Sequence, residues 1–274
     1  MKPLIGLVPF LKANGVAVDE VDLKVHLACW NGKEDPINGY YAGVFKEWQE
    51  EQTRKNFECA QVLSLIDIGP GEWLFVGVYS VTKPAKRHPR RPQIFVYGTE
   101  ALPGQDHLIG RIKVAHKRSR ASYVWHKPPV TLPIIEVMRE KQVMGDFPGY
   151  NKVTVSHQEL RTIIGQRIAS WHGALANIKG VYLISDKITG GQYVGKASGG
   201  DGIWSRWSSY AKNGHGGNVE LKKLLRQKGE GHMANLQYSI LEIADTHATD
   251  ADILQRESYW VRALGSRVHG LNGK

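Results

Sequence analysis

The sequence predicts an α+β protein of two domains: an N-terminal, mostly antiparallel β domain with helices, and a C-terminal small mixed sheet with helices. With 274 residues, the chain is long for one domain and sufficient for two separate hydrophobic cores. Short strand-like runs fill most of the first part, whereas strand-like and helix-like runs alternate in the last third. We place the predicted domains at residues 1–165 and 170–274.

The composition is that of an ordinary globular protein, because 42% of the residues are hydrophobic and 23% are charged. The formal net charge is +10, and basic residues exceed acidic ones in both predicted domains, so the excess is not a detachable tail. Lysine and arginine gain free energy when they displace counterions from phosphates, which makes a polyanionic partner such as nucleic acid a first hypothesis. Many proteins are this basic without such a partner, and charge alone does not separate the two readings.

The two cysteines, Cys29 and Cys59, form neither a CxxC motif nor a Cys/His cluster. This pattern argues against a zinc finger and a disulfide framework, and it suits a reducing cytoplasm. The apolar start at 1–15 is too short and too interrupted for a signal peptide, and nothing later approaches a membrane span. We therefore expect a soluble cytoplasmic protein.

The first domain is predicted to begin with a strand at 21–30, before a break rich in Gly, Pro and Asn. A helix is predicted across 44–56, because Phe45, Trp48 and Gln52 recur at helical spacing. Further strands are predicted at 61–68, 72–81, 93–100 and 107–117. Several short strands in succession indicate an antiparallel sheet that can close into a small barrel. The proline-rich region that follows them is predicted to pack irregularly.

The second domain follows a predicted helix at 156–168, where Ser156 and Glu159 have the form of a capping box. Two strands then flank a glycine-containing turn and predict a hairpin. The predicted order is β-β-α-α-β-α, with bounds of 180–185, 192–197, 201–212, 218–229, 235–244 and 249–266.

An ordered set of residues in this domain resembles the GIY-YIG nuclease family. The tripeptide Gly-Val-Tyr at 180–182 lies on the first hairpin strand, and Tyr-Val-Gly at 193–195 lies on the second, with Val in place of Ile in both. Arg206 follows in the next helix, Glu257 lies in the last helix, and Asn272 lies near the end of the chain. The joint occurrence of these residues in one order favours the family. Singly, each tyrosine reads as a packing residue and the glutamate as a solvated helix position.

The resemblance implies metal-dependent hydrolysis of phosphodiester bonds, in which one Mg²⁺ or Mn²⁺ per active site is held by Glu257 and water. It also implies that Arg206 contacts phosphate through its planar fork of donors. Tyr182 and Tyr193 are expected in the same pocket, and Tyr182 is expected to help to activate the water. An ordinary phenol has a pKa near 10, so it needs help from the metal or a nearby cation. Lys196 is a candidate for that cation or for a phosphate contact.

Two positions are treated separately, because one departs from the family pattern and the other has two expected roles. Many family members have a histidine one helical turn after the arginine, where this chain has Tyr210. A tyrosine can donate to a phosphate or orient water, but it cannot act as an imidazole. Asn272 is expected to contact phosphate or to support the site, and the alternative is that it only ties down the end of the chain.

The first domain has two basic segments, at 83–91 and 110–127, and the second interleaves its charge with Tyr123 and Trp125. Basic residues with aromatics on a sheet can follow a nucleic-acid backbone and stack on bases. The alternative is a solvated loop and an edge strand protected by its charges. The residues predicted to bind nucleic acid are Arg111, Lys113, Lys117, Arg118 and Arg120.

The sequence thus predicts an endonuclease that acts on DNA, with no membrane association and with an N-terminal domain for target recognition or partner binding. Restriction or phage defence is the leading setting, with modified DNA as one possible target. The alternatives are a nuclease that nicks repair or recombination intermediates, and a nucleic-acid-binding protein whose nuclease fold has lost activity. The target and the oligomeric state do not follow from the sequence.

Overall fold

The structure is a computed structural model that describes residues 5–32, 34–127 and 131–273. It contains two compact units, Met1–Val143 and Met144–Lys274. Parts of the predicted apolar start and of the proline-rich region, residues 1–4 and 128–130, lie outside the described residues.

The unit boundary precedes the domain boundary predicted between 165 and 170. The segment 144–165 belongs to the second unit because Leu160 and Ile163 are buried in that unit's core. No helix in the described part of the chain is long and apolar enough to cross a lipid bilayer.

The first unit is built mainly from strands. Its helices are α1 (Leu7–Ala13), α2 (Pro36–Tyr41) and α3 (Phe45–Glu50). Its strands are β1 (Leu23–Ala28), β2 (Glu51–Gln52), β3 (Gln61–Gly69), β4 (Glu72–His88), β5 (Arg91–Ala101), β6 (Ile112–Ala115), β7 (Tyr123–Trp125) and β8 (Ile134–Val137).

These strands form one sheet in the order β2-β5-β4-β3-β1-β7, with β6 paired to both β4 and β8. The sheet is mostly antiparallel, as predicted, but β1 and β3 run parallel. Among the described residues no pairing joins the two ends of this order, so the predicted small barrel is not confirmed.

Helix α3 is shorter than the predicted helix at 44–56. Of the three residues of the predicted pattern, Phe45 is buried in the helix and Trp48 packs partly buried against the same cluster, whereas Gln52 lies beyond the helix. The helix ends at Glu50 because the next two residues pair with β5 as strand β2. The side chain of Gln52 donates to the carbonyl oxygen of Gln49 at 2.6 Å, which gives a hydrogen-bond partner to a carbonyl group at the C-terminus of the helix.

The second unit confirms the predicted β-β-α-α-β-α order and adds β9 and α5 before it. Its strands are β9 (Thr154–Ser156), β10 (Lys179–Asp186), β11 (Gln192–Ala197) and β12 (Leu236–Ala244). Its helices are α4 (His157–Gly165), α5 (Ala169–Ala176), α6 (Gly202–Asn213), α7 (Val219–Lys228) and α8 (Asp250–Ala263), with 3₁₀ turns at Tyr150–Lys152 and Glu230–Asn235.

The sheet of this unit is antiparallel in the order β11-β10-β12-β9. The predicted capping box of Ser156 and Glu159 opens α4. One face of the sheet packs against α6 in the main core, and the other packs against α8 through Val181, Val194 and Val261. Helices therefore cover both faces of the β10–β11 hairpin.

Candidate active site

The two motif glycines are required by close backbone approaches. In the β10–β11 register Gly195 lies opposite Tyr182, and a Cβ atom on Gly195 would lie 2.5 Å from the Tyr182 hydroxyl oxygen. A Cβ atom on Gly180 would lie 2.2 Å from the carbonyl oxygen of Glu242 on β12. Both distances are far below van der Waals contact, so only glycine fits at either position. The Tyr182 ring packs into the space that a side chain at Gly195 would occupy.

The hairpin also places the two motif tyrosines on one face. Tyr182 pairs with Gly195, and Tyr193 lies two residues from Gly195 on the same strand. Because side chains alternate along a strand, Tyr182 and Tyr193 project to the same side of the sheet. Both belong to the core cluster that includes α6, as the sequence predicted for their shared pocket.

Tyr182, Tyr210 and Arg206 form a hydrogen-bonded triangle. The hydroxyl oxygens of the two tyrosines lie 3.1 Å apart. Arg206 Nε donates to Tyr182 at 3.4 Å, and its Nη2 donates to Tyr210 at 3.3 Å. Arg206 and Tyr210 are one turn apart on α6, which puts them on the same face of the helix. Arg206 is half-buried, and its Nη1 has no hydrogen-bond partner among the described residues, so this part of the fork is available to a ligand.

Burial keeps both phenols of this triangle neutral at physiological pH. Burial, with a smaller contribution from Tyr193, raises the pKa of Tyr182 to about 12, and Arg206 partly opposes the shift. Burial also raises the pKa of Tyr210, and the neighbouring Tyr182 adds to the effect. Tyr182 and Tyr210 are 0% exposed, whereas Tyr193 is 9% exposed. Tyr193 is therefore the more accessible of the two motif tyrosines.

Glu257 joins the site from the opposite side of the hairpin. It lies on α8, which packs against β10 and β11, and it is half-buried. Burial raises the pKa of the Glu257 carboxyl, and Lys196 and Arg206 oppose that rise. These two opposing effects place both cations near the carboxylate. No ion pair under 4 Å involves Glu257 in the described part of the chain, so its charge is only partly compensated.

This donor set fits a hydrated divalent cation better than a fully enclosed one. Within residues 5–32, 34–127 and 131–273, no group of three or more His, Cys, Asp or Glu side chains is arranged to hold a metal. Mg²⁺ keeps several water ligands and binds through one or two carboxylates. A partly desolvated carboxylate that forms no ion pair within 4 Å among the described residues, such as Glu257, is stabilised by a divalent ion.

Asn272 has a structural position. Its Oδ1 accepts from the Val194 amide at 2.8 Å, and its Nδ2 donates to the Val194 carbonyl at 2.7 Å. Strand β11 is at the edge of the sheet, and the backbone amide of Leu271 also donates to Gln192 on this strand. The side chain of Asn272 thus makes the two backbone hydrogen bonds at Val194 that a neighbouring strand would otherwise make. Both of its polar atoms bind the Val194 backbone, which favours the supporting role.

Two buried residues extend the site in a way that the sequence did not indicate. Tyr238 on β12 is fully buried, and its ring centroid lies 6.0 Å from that of Tyr210. Its hydroxyl lies 3.1 Å from His157 Nδ1. Burial lowers the pKa of His157 to about 4, so this imidazole is neutral. In the sequence, Tyr238 is one residue of an alternating strand and His157 opens an ordinary helix, so neither gave a signal.

The predicted nucleic-acid-binding residues of the first unit divide into two groups. Arg111 donates to the carbonyl oxygens of Met138 at 2.8 Å and His107 at 2.9 Å, and Lys113 forms an ion pair with Glu136 at 2.7 Å. These two side chains are therefore engaged in holding β6. The remaining three are exposed on the segment after β6: Lys117, Arg118 and Arg120.

The segment after β6 borders an open cavity of about 560 Å³, lined in part by Lys117, Arg118 and Asp67. The guanidinium of Arg118 also contacts the sulfur of Cys29, at 2.7 Å. A patch of exposed basic residues is thus present, but it is smaller than the sequence suggested.

Two solved structures are similar to part of this chain. The catalytic domain of homing endonuclease I-TevI is 26% identical, and the similarity covers 35% of this chain and 98% of that domain with a TM-score of 0.28. A mutant of the catalytic domain of intron endonuclease I-TevI is 24% identical over 35% of this chain and 92% of that domain, with a TM-score of 0.27. No family model and no curated protein matches the chain.

Proposed function

We propose that the protein is a metal-dependent endonuclease that hydrolyses phosphodiester bonds in DNA, with its active site in the second unit. The observation that supports this most is the convergence of one half-buried carboxylate, Glu257, with two cations, Lys196 and Arg206, beside the motif tyrosines. A carboxylate for a metal and cations for a phosphate are the groups that phosphodiester hydrolysis requires. Their order in the sequence is the order that resembles GIY-YIG nucleases.

Each residue has a distinct proposed role. Glu257 holds Mg²⁺ or Mn²⁺ through one carboxylate, and the bound ion would stabilise the negative charge that builds on the phosphate. Arg206 is fixed through Tyr182 and Tyr210 and presents its remaining donors to a non-bridging oxygen. Lys196, on the neighbouring strand, supplies a second positive charge.

The tyrosines orient the attacking water in this proposal. Tyr182 is buried and its pKa is about 12, so loss of its proton at neutral pH depends on Arg206 and the bound metal. Tyr193 is more accessible than Tyr182, at 9% exposed, which supports a proposed contact with the water or the phosphate. Tyr210 serves as a positioning residue, because its hydroxyl contacts Tyr182 and Arg206.

The first unit is proposed to select the target, and restriction or phage defence is the favoured setting. The three exposed basic residues after β6 support a contact with nucleic acid. A nuclease for repair or recombination intermediates is the enzymatic alternative. A binding protein without activity is the other alternative, and the complete set of Tyr182, Tyr193, Arg206 and Glu257 opposes it.

One experiment separates these readings. The full chain is incubated with plasmid DNA, modified phage DNA and branched DNA, with Mg²⁺ or with EDTA. Cleavage of plasmid or phage DNA that needs Mg²⁺ is the expected result. Preferential cleavage of branched DNA would favour the repair reading. DNA binding without cleavage of any substrate would show that the protein is not a nuclease.

A further inference from the structure

The β4–β5 hairpin extends beyond the rest of the first unit's sheet. Strand β4 pairs with β3 only up to Ser80, whereas its pairing with β5 continues to His88. On the other edge of β5, the short strand β2 pairs only with Phe95 and Val96. Phe95 and Val96 are also the partners of Arg87 and Lys86, so β2 adds a third strand at those two positions, and the rest of residues 82–94 forms a two-stranded ribbon. At about 3.3 Å per residue, the part of β4 in this ribbon, residues 82–88, is about 23 Å long.

This ribbon, which we define as residues 82–94, is strongly basic. It contains no acidic residue. Of its cations, Arg91 has an ion-pair partner, Glu51, and the others have none in the described part of the chain. All five basic side chains are exposed: Lys83, Lys86, Arg87, Arg90 and Arg91. The ribbon thus projects an uncompensated positive charge.

The charges are held on ordered backbone and not on a loose loop. The Arg87 guanidinium lies 4.0 Å from the centroid of the Phe95 ring, and its Nη1 donates to the carbonyl of Pro92 at 2.8 Å. The stem of Lys83 lies against Gly98, where a Cβ atom would be only 3.0 Å from it. Cations on a preformed element lose less conformational entropy on binding than cations on a flexible segment.

We propose that this ribbon binds duplex DNA and lies in its major groove. The major groove is about 12 Å wide and admits a two-stranded β-ribbon, whereas the minor groove is about 6 Å wide and does not. The lysines and arginines along the ribbon then reach the phosphates on both sides of the groove. The choice of DNA as the partner rests on the proposed nuclease function.

The ribbon is a surface separate from the basic residues after β6. Strand β6 pairs with β4 at Glu72, Trp73 and Leu74, near the start of β4, whereas the ribbon contains its other end. The two basic segments therefore lie at opposite ends of β4. Substitutions in one leave the other intact, so each can be tested by itself.

Binding of duplex DNA by the full chain, in EDTA to prevent metal-dependent cleavage, tests the proposal. Lys86→Gln with Arg90→Gln removes two exposed charges whose side chains have no partner among the described residues. The loss of two phosphate contacts is expected to reduce the slope of log K against log salt by about 1.8 and to weaken binding about 60-fold at ~0.1 M salt. Arg139→Gln with Lys141→Gln removes two exposed charges elsewhere in the same unit and should leave the slope unchanged.

Protection of the bases from methylation shows which groove of the DNA the ribbon occupies. Guanine N7 lies in the major groove, so the wild-type protein should protect it from dimethyl sulfate and the Lys86/Arg90 glutamine variant should not. The charge-retaining variant Lys86→Arg with Arg90→Lys should bind and protect as the wild type does. An unchanged salt slope in the glutamine variant would overturn the proposal. Protection of adenine N3 in place of guanine N7 would also overturn it.

The result is distinguishable from failure of the nuclease proposal. A protein that binds through the ribbon but cuts no DNA with Mg²⁺ retains this inference and is not a nuclease. A protein that cuts DNA, and whose glutamine variant binds and cuts as well as the wild type, refutes the ribbon alone. Binding of RNA or of a protein by the ribbon, with no binding of duplex DNA, would refute it as well.

Discussion

The hydroxyl oxygens of Tyr182 and Tyr210 lie 3.1 Å apart in the core of the second unit. Tyr182 belongs to the hairpin and Tyr210 to α6, so this hydrogen bond joins the strand motif to the helix that carries Arg206. Arg206 donates to both oxygens, which orients its guanidinium. The chain thus uses a second phenol where many relatives of the proposed family have an imidazole. That phenol accepts a hydrogen bond from Arg206, and burial raises its pKa, so it is neutral at physiological pH.

Gly195→Ala should displace the Tyr182 ring and abolish cleavage. The added Cβ would lie 2.5 Å from the Tyr182 hydroxyl oxygen, and overpacking of a closed core costs about 1–3 kcal/mol of folding free energy. Urea unfolding and plasmid cleavage measure the two effects. Gly199→Ala is the matched control, because a Cβ there meets no atom within 4 Å. Full activity of Gly195→Ala would show that the ring position does not matter.

Glu257→Gln should abolish cleavage and leave DNA binding in EDTA nearly unchanged. Glu257→Ala should do the same, because Glu257 is the proposed protein ligand of the metal. Cleavage by the wild type should fall as the pH is lowered into the range of the raised Glu257 pKa, since the protonated carboxyl does not hold the metal. Metal-dependent turnover by either variant would remove Glu257 from the site. Glu230→Gln, at an exposed position of the same unit, should cleave as the wild type does.

The substitution Glu257→Gln should raise the melting temperature of the protein at pH 7 in EDTA. Burial raises the pKa of Glu257 in the folded state, so its contribution to stability is present below the unfolded pKa and is lost as the pH rises through the folded one. The neutral amide avoids that loss at pH 7. A melting temperature below that of the wild type would contradict the raised pKa, and the gain should vanish at acidic pH.

Arg206→Ala should slow the chemical step by the equivalent of about 2.7–4 kcal/mol, the usual effect of removing one preorganised donor from a transition state. Arg206→Lys should restore only part of the rate, because an ammonium does not reproduce the planar fork. Single-turnover rates with saturating protein measure the effect without a contribution from product release. Equal rates for the wild type and the alanine variant would exclude Arg206.

Asn272→Ala should destabilise the second unit by about 1–3 kcal/mol, because two hydrogen bonds to Val194 are lost. The single-turnover rate of the folded fraction should stay near that of the wild type, since both polar atoms of Asn272 bind backbone. Urea unfolding and single-turnover cleavage measure these effects on the same sample. A large loss of rate with unchanged stability would restore the phosphate contact that the sequence suggested.

Arg118→Glu with Arg120→Glu should weaken binding of duplex DNA by the full chain and reduce the salt slope by about 1.8. Both side chains are exposed, although Arg118 also contacts Cys29. Lys113→Glu is the comparison, because Lys113 is paired with Glu136 and its reversal should lower stability more than DNA affinity. If reversal at 118 and 120 changes neither affinity nor slope, the segment after β6 is a solvated surface.

The sequence by itself determined the elements that follow local rules. The strand predicted at 192–197 has the same bounds in the structure, and the Ser156–Glu159 capping box opens α4. Turn residues, caps and the period of apolar side chains act over a few neighbouring positions, so they can be read from one chain. The ordered motif residues also predicted that Tyr182 and Tyr193 share a pocket, and both lie in one core cluster.

The tertiary structure alone decided what those residues contact. Asn272 meets Val194, and Lys113 meets Glu136, across separations that no local pattern encodes. The sequence left open whether the basic segment at 83–91 binds nucleic acid on a sheet or is a solvated loop and edge strand, and pairing with β5, which extends β4 to His88, makes it part of two strands. Register, burial and the choice of partner depend on the packing of distant segments, and that packing is a property of the whole fold.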